Sequence, residues 1–193
     1  MRTSVVDILM VPGWLNSGPE HWQSRWERNL KTAQRVEQED WVDADKDKWV
    51  GRIIAAVAAT SRPTVLVAHS LGVIAVAHAA PKLPRGAVAG AFLVAPADVD
   101  NVETWPEQDG HAWPQGGFGF PPVPLTQLPF PSMLLASTDD AFCRLERARH
   151  FAAAWGSELI EVGPAGHISA DSGHGAWPDG VLRFGRFLAG LPA

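Results

Sequence analysis

One serine sits between a run of β-formers and an apolar helical stretch, in Val65-Leu66-Val67-Ala68-His69-Ser70-Leu71-Gly72. A buried strand that runs into Ala-His-Ser-Leu-Gly and straight out into a helix is a nucleophile elbow of the G-x-S-x-G kind, with Ala68 at the first glycine position. The small residues have a physical purpose. They flank a tight turn that lifts the serine oxygen above the sheet, and bulky side chains there would collide with the neighbouring strand or helix. Ala68 adds only one methyl group. The same turn puts Ser70 and the N–H of Leu71 at a helix N-terminus, whose positive dipole end favours a developing oxyanion. Serine is also a common helix N-cap; the strand–turn–helix setting favours the nucleophile.

A serine hydroxyl needs a base, and the base an orienting carboxylate. In α/β-hydrolases these follow the serine in the order acid, then histidine. Ser137-Thr138-Asp139-Asp140 follows one predicted strand, and Gly163-Pro164-Ala165-Gly166-His167 follows another. Both loops fall at carboxyl ends of parallel strands, where open α/β sheets bind ligands. Either Asp139 caps the next helix while Asp140 orients the histidine, or the reverse. His167 is preferred to His174 because it directly follows a strand. His69 should point away from Ser70 and reads as structural or as a wall of the substrate site. His21, His78, His111 and His150 lack a partner pattern and are expected at the surface.

The loop after the first strand, Pro12-Gly13-Trp14-Leu15-Asn16-Ser17-Gly18, is where this architecture draws its second oxyanion N–H, with Trp14 the expected donor. Its glycine spacing is not that of a dinucleotide site. His167 and His174 lie seven apart in a loop, without the i, i+4 spacing of a helical metal pair. Neither cofactor nor metal is expected.

The elements that must position these residues alternate. Strands are expected at Val5–Val11, Val36–Glu39, Thr64–Ala68, Val88–Ala95, Ser132–Ala136 and Glu158–Val162. Helices are expected over Glu20–Arg35, where Trp22, Trp26 and Leu30 share a face, around Trp49, Ile53, Ile54 and Val57, and over Leu71–Ala80, Phe142–Trp155 and Val181–Leu191. That alternation predicts an α/β fold, a parallel sheet covered by helices on both faces. Residues 96–131 break it with Trp105, Trp113, Phe118, Phe120 and six prolines between Pro96 and Pro124. So long an irregular stretch is expected either as a lid or active-site loop or as a cover on one edge of the core. Trp14, Phe118 and Phe120 are the expected walls of the substrate site.

With 193 residues, 46% of them hydrophobic and 19% charged, the chain is expected to form a single domain over 1–193. A net charge of −5 argues against a nucleic-acid partner. The single cysteine leaves no internal disulfide, and the apolar runs are too short to cross a bilayer. The N-terminus reads as a strand rather than a signal peptide, so a cytoplasmic location is expected.

Taken together, these residues resemble the retinoblastoma-binding-protein-9-like and YdeN-like small serine hydrolases over essentially the whole chain. The resemblance rests on Val11-Pro12-Gly13, His21-Trp22, Asp40-Trp41 with Trp49-Val50, Ala68-His69-Ser70-Leu71-Gly72, Ser137-Thr138-Asp139-Asp140 and Gly166-His167. It implies a minimal α/β-hydrolase fold with six strands in the order 2-1-3-4-5-6. It also implies Ser70 as nucleophile, Asp140 as orienter and His167 as base. Ala68 and Ala141 depart from a more usual glycine and proline. The activity implied is hydrolysis of a small ester, or of an amide or thioester, with water or another acyl acceptor. The alternative is a protein-binding module on the same scaffold with vestigial activity, for which nine tryptophans and no tyrosine could supply an exposed patch. Oligomeric state has no sequence signal.

Overall fold

Parallel strands buried on both faces read as unbroken apolar runs, and the two strongest such runs form the centre of the sheet. They are β3 (Thr64–Ser70) and β4 (Val88–Pro96). Beside them lie β1 (Asp7–Val11) and β5 (Ser132–Ala136), with the short β2 (Ala33–Arg35) and β6 (Glu158–Glu161) at the edges. Every pair is parallel and the order is β2-β1-β3-β4-β5-β6, the order the family resemblance implies. The structure, a computed structural model, describes residues 1–103 and 105–192. Thr104, inside the 96–131 segment, and Ala193 lie outside the described residues.

Adjacent strand residues point to opposite faces, so the sheet carries two cores. Leu9, Leu66, Leu93 and Leu134 face α2 (Lys46–Ala58), α3 (Leu71–Ala79) and α4 (Leu145–Trp155). Ile8, Val65, Phe92 and Met133 face α1 (Trp22–Asn29) and α5 (Pro178–Gly190). The tryptophans serve these cores. Six of the nine are buried and Trp41, Trp105 and Trp113 are half-buried. Among the described residues no helix is long and apolar enough to cross a membrane.

Two element boundaries differ most from expectation. The first helix stops at Asn29, and the second strand covers Ala33–Arg35 rather than Val36–Glu39. Ala-Gln-Arg carries no β signal; register with Ile8, Leu9 and Met10 places it in the ladder. Val36 is apolar because it is buried at the end of that pairing, its N–H on the Met10 carbonyl.

The two halves of the 96–131 segment pack differently. Its second half covers the core: Phe120, Val123, Leu128 and Phe130 are buried, and the Trp155 indole donates to the Pro124 carbonyl at 2.7 Å. Its first half brings Trp105 and Trp113 together at 5.2 Å between ring centres, with Trp113 against Trp14 at 5.1 Å.

The start of α3 is fixed by a close approach. A Cβ on Gly72 would be driven into the carbonyl oxygens of Val11 and Pro12, nearer than real Cβ contacts come. The helix can therefore begin against the end of β1 only with glycine there. Gly72→Ala should lower the melting temperature by about 2–12 °C, from an overpacking cost of about 1–3 kcal/mol in a domain of this size. Gly18→Ala, with open space around its Cβ, is the matched control in a thermal melt. Equal melting temperatures would show that α3 shifts without cost.

Candidate active site

Ser70 adopts φ 55° and ψ −126°, a conformation that costs an L-residue about 1–3 kcal/mol. Its surroundings impose it. The β3–β4 register slips between His69 and Ser70. Gly13 presses in from the first loop, where a Cβ would lie 2.6 Å from Ser70 Cβ. Although Ser70 occupies the N-cap position of α3, its side chain makes no capping bond. The hydroxyl donates instead to His167 Nε2 at 2.8 Å.

His167 Nδ1 lies 2.9 Å from both Asp140 carboxylate oxygens. A carboxylate only accepts, so Nδ1 carries the proton and the Nε2 lone pair faces the serine. The Asp140 side chain is 2% exposed and that of His167 10%. The Phe142 N–H holds Asp140 Oδ1 at 2.9 Å, and the Phe142 ring packs on the imidazole at 4.5 Å.

The two neighbouring acids divide the work. Asp139 does not reach the imidazole. Its Oδ1 accepts from Ser137 Oγ at 2.7 Å, Ala165 N at 2.9 Å and Gly166 N at 2.8 Å, which ties down the loop leading into His167. The Ser137 hydroxyl, then the Gly166 amide, hold its carboxyl below the usual carboxylate range. The far side of the loop is tied by side chains from the opposite direction. His69 Nε2 donates to the His167 carbonyl at 2.9 Å and Trp22 Nε1 to the Ile168 carbonyl at 2.9 Å. His174 stays apart, hydrogen-bonded to Ser172 and edge-on to Trp177.

A cleft of about 780 Å³ opens over Ser70, lined among others by Trp14, His21, His69, Phe142, His167 and the strap Pro106–Asp109. The Leu71 amide opens α3 directly after the serine. The Trp14 amide, next to Gly13, has no acceptor among the described residues. Phe118 stands behind Trp14, 6.2 Å from it, and is not in the cleft lining. Phe120 is corrected outright as a wall: it is 0% exposed, packed on Trp49 and His78 in the core. The chain turns inward after Gly119 (φ 81°), and His78 caps the Phe120 carbonyl at 2.8 Å. Ala68 is fully buried in the β3 ladder and Ala141 borders the cleft.

His111 and His150 are exposed, as expected, while His21 is buried and His78 half-buried. His21 caps α1, its Nδ1 accepting from the Gln23 N–H, so its proton sits on Nε2, which has no acceptor among the described residues. Burial, then the charges of His167, Arg35 and His174, push the His21 imidazole down to about 3. Burial, followed by His21 and His167, likewise holds His69 well below the usual histidine range. Both rings are neutral spacers beside the reactive imidazole. Cys143 is no rival nucleophile, because burial and the Asp98 and Asp140 carboxylates push its thiol up.

Comparison with known proteins bears on the family and the fold. A family model described as serine hydrolase matches residues 8–186. A protein classed as a YdeN-like hydrolase from Pectobacterium atrosepticum is 34% identical, with 98% of this chain and 95% of that one covered and a TM-score of 0.82. The ydeN gene product of Bacillus subtilis is 18% identical, with 94% and 98% covered and a TM-score of 0.73. An esterase from Rhodococcus sp. ECU1013 is 15% identical, with 99% and 93% covered and a TM-score of 0.66; it shares the fold. No curated protein sequence matches. The match over 8–186, and the end-to-end likeness to the Pectobacterium protein, place this chain in the serine hydrolase family as a YdeN-like small member of the α/β-hydrolases.

Proposed function

We propose that the protein hydrolyses a small carboxylic ester through an acyl-enzyme on Ser70. The observation that carries this is the unbroken run of hydrogen bonds from Asp140 through His167 to Ser70, set in an open cleft. As Oγ attacks the carbonyl carbon, His167 Nε2 takes the serine proton and the carbonyl electrons move onto oxygen. The N–H groups of Leu71 and Trp14 hold that oxyanion, while Asp140 stabilises the imidazolium. His167 then delivers its proton to the leaving oxygen as the C–O bond breaks, freeing the alcohol. Water, deprotonated by His167 in turn, releases the acid and restores Ser70. Amides and thioesters would enter the same cycle with nitrogen or sulfur leaving. The test is intact-protein mass after exposure to a fluorophosphonate: one adduct on wild type and none on Ser70→Ala. A folded wild type that takes no adduct would remove the reading.

The cleft also favours one substrate charge. Glu20, Glu107, Asp109, Asp139 and Asp171 line it, and among the described residues no lysine or arginine does. Glu20 is paired with Arg25; the other four leave a negative field over Ser70. An ester whose acyl group carries a carboxylate should therefore show a kcat/KM about 10-fold below that of a neutral ester of equal length at low salt, from a few such charges acting through water. The gap should close as salt is added. A salt-independent gap, or a preference for the anion, would show that shape rather than charge selects.

A further inference from the structure

Beyond these assignments, and resting on the proposed roles of Ser70 and His167, we infer that His69 and Trp22 form a clamp that sets the His167 imidazole against the nucleophile, making both of them positioning residues. Two consecutive carbonyls, those of His167 and Ile168, are each caught by a ring N–H at 2.9 Å. The donors come from different places: His69 from the end of β3, one residue before the nucleophile, and Trp22 from the first turn of α1. Their rings meet edge-on at 6.0 Å, and His21 backs His69 at 4.8 Å. All three are buried, and Trp22 is 0% exposed. A carbonyl only accepts, so the neutral His69 ring must carry its proton on Nε2.

The loop needs such a hold. It passes through positive φ at Gly163, Gly166 and Ile168, and beyond His167 the bonds of Ser169 to Ser172 and His174 lie within the loop itself. Asp139 fixes the approach at Ala165 and Gly166. Without the clamp, the peptide carrying the imidazole would lose its two ties to β3 and α1. Because His69 adjoins Ser70 in the chain, the bond to the His167 carbonyl links the backbone of the base to the backbone of the nucleophile. The distance between Oγ and Nε2 is thereby set twice, once by their own hydrogen bond and once through the scaffold. This gives a reason for two sequence features at once: the histidine beside the serine and the His21-Trp22 pair at the head of α1.

His69→Phe keeps a ring of similar size and deletes only the donor, whereas His69→Gln places an N–H near the former Nε2. Misplacing a catalytic group by an ångström costs on the order of 10²-fold. His69→Phe should therefore lower kcat, and the rate of fluorophosphonate labelling of Ser70, by about that factor with KM little changed. His69→Gln should recover most of the loss. The downfield Nδ1–H resonance of the His167–Asp140 bond should broaden or vanish in His69→Phe and return in His69→Gln, a readout that needs no turnover. A folded His69→Phe with wild-type rates would overturn the clamp, as would a loss that His69→Gln does not repair. If His69→Phe does not fold, His69→Asn, too short to reach the carbonyl, takes its place against His69→Gln, and equal rates would overturn the inference. Failure of wild type itself to label would instead remove the Ser70 assignment and leave the resonance comparison standing.

Discussion

Ser70→Ala is expected to lower kcat by about 10⁵-fold or more while leaving a folded protein, because the serine–histidine–aspartate unit works as a whole and removal of its nucleophile leaves only the oxyanion site and binding. His167→Ala should cost about as much, and the double variant hardly more than either. That lack of additivity is the informative result. If the two losses multiplied, Ser70 and His167 would be acting separately, and the 2.8 Å bond between them would be incidental. The same serine yields a stability comparison. It is held at φ 55°, where glycine is at ease and alanine is not. Ser70→Gly should therefore melt above Ser70→Ala by a few degrees, about 1 kcal/mol in a domain of this size. The usual ranking of the two residues would be reversed, and strain would be located at the reactive position.

Much of this arrangement is legible in the sequence, for identifiable reasons. The central strands carry unbroken apolar runs because both faces are covered, and periodicity reports burial directly. Ser70 is legible because the turn that lifts it requires small neighbours on both sides. Gly72 shows why: the end of β1 packs against the first turn of α3 where a Cβ would sit. The order serine, acid, histidine follows from strand order, since each residue lies on the loop after a strand. What stayed hidden depends on tertiary partners. β2 has no side-chain signal because backbone register with β1 places it at the edge. Phe120 resembles a loop aromatic until its chain is seen to turn into the core beside Trp49. His21 looked like a surface residue because no local pattern announces that its ring will be buried against His69. The clamp on the His167 loop was hidden for the same cause, as its donors lie 98 and 146 residues from the carbonyls they hold.

The two adjacent acids were indistinguishable by type and spacing, and their contacts predict opposite responses to the same change. Asp140→Asn should lower kcat by about 10³–10⁴-fold. The Phe142 N–H fixes which end of the new amide is which, because it requires an acceptor at the Oδ1 position. The amide oxygen takes that place, and the NH₂ group is left facing His167 Nδ1. The imidazole must then carry its proton on Nε2, pointing at the Ser70 hydroxyl, and it can no longer serve as a base. Asp139→Asn meets no such conflict. Its three donors, from Ser137, Ala165 and Gly166, converge on one oxygen, and an amide oxygen accepts them as well. That variant should stay within about 10-fold of wild type, since only a charge near the surface is lost. Asp139→Ala, which strips all three donors of their acceptor, should fall between the two and should also melt lower. Steady-state kinetics with one ester, alongside thermal melts, would rank the three variants. If Asp139→Asn lost as much activity as Asp140→Asn while remaining folded, the carboxylate that governs the histidine would be the charged anchor of its loop, and the direct contact at 2.9 Å would not be the one that matters.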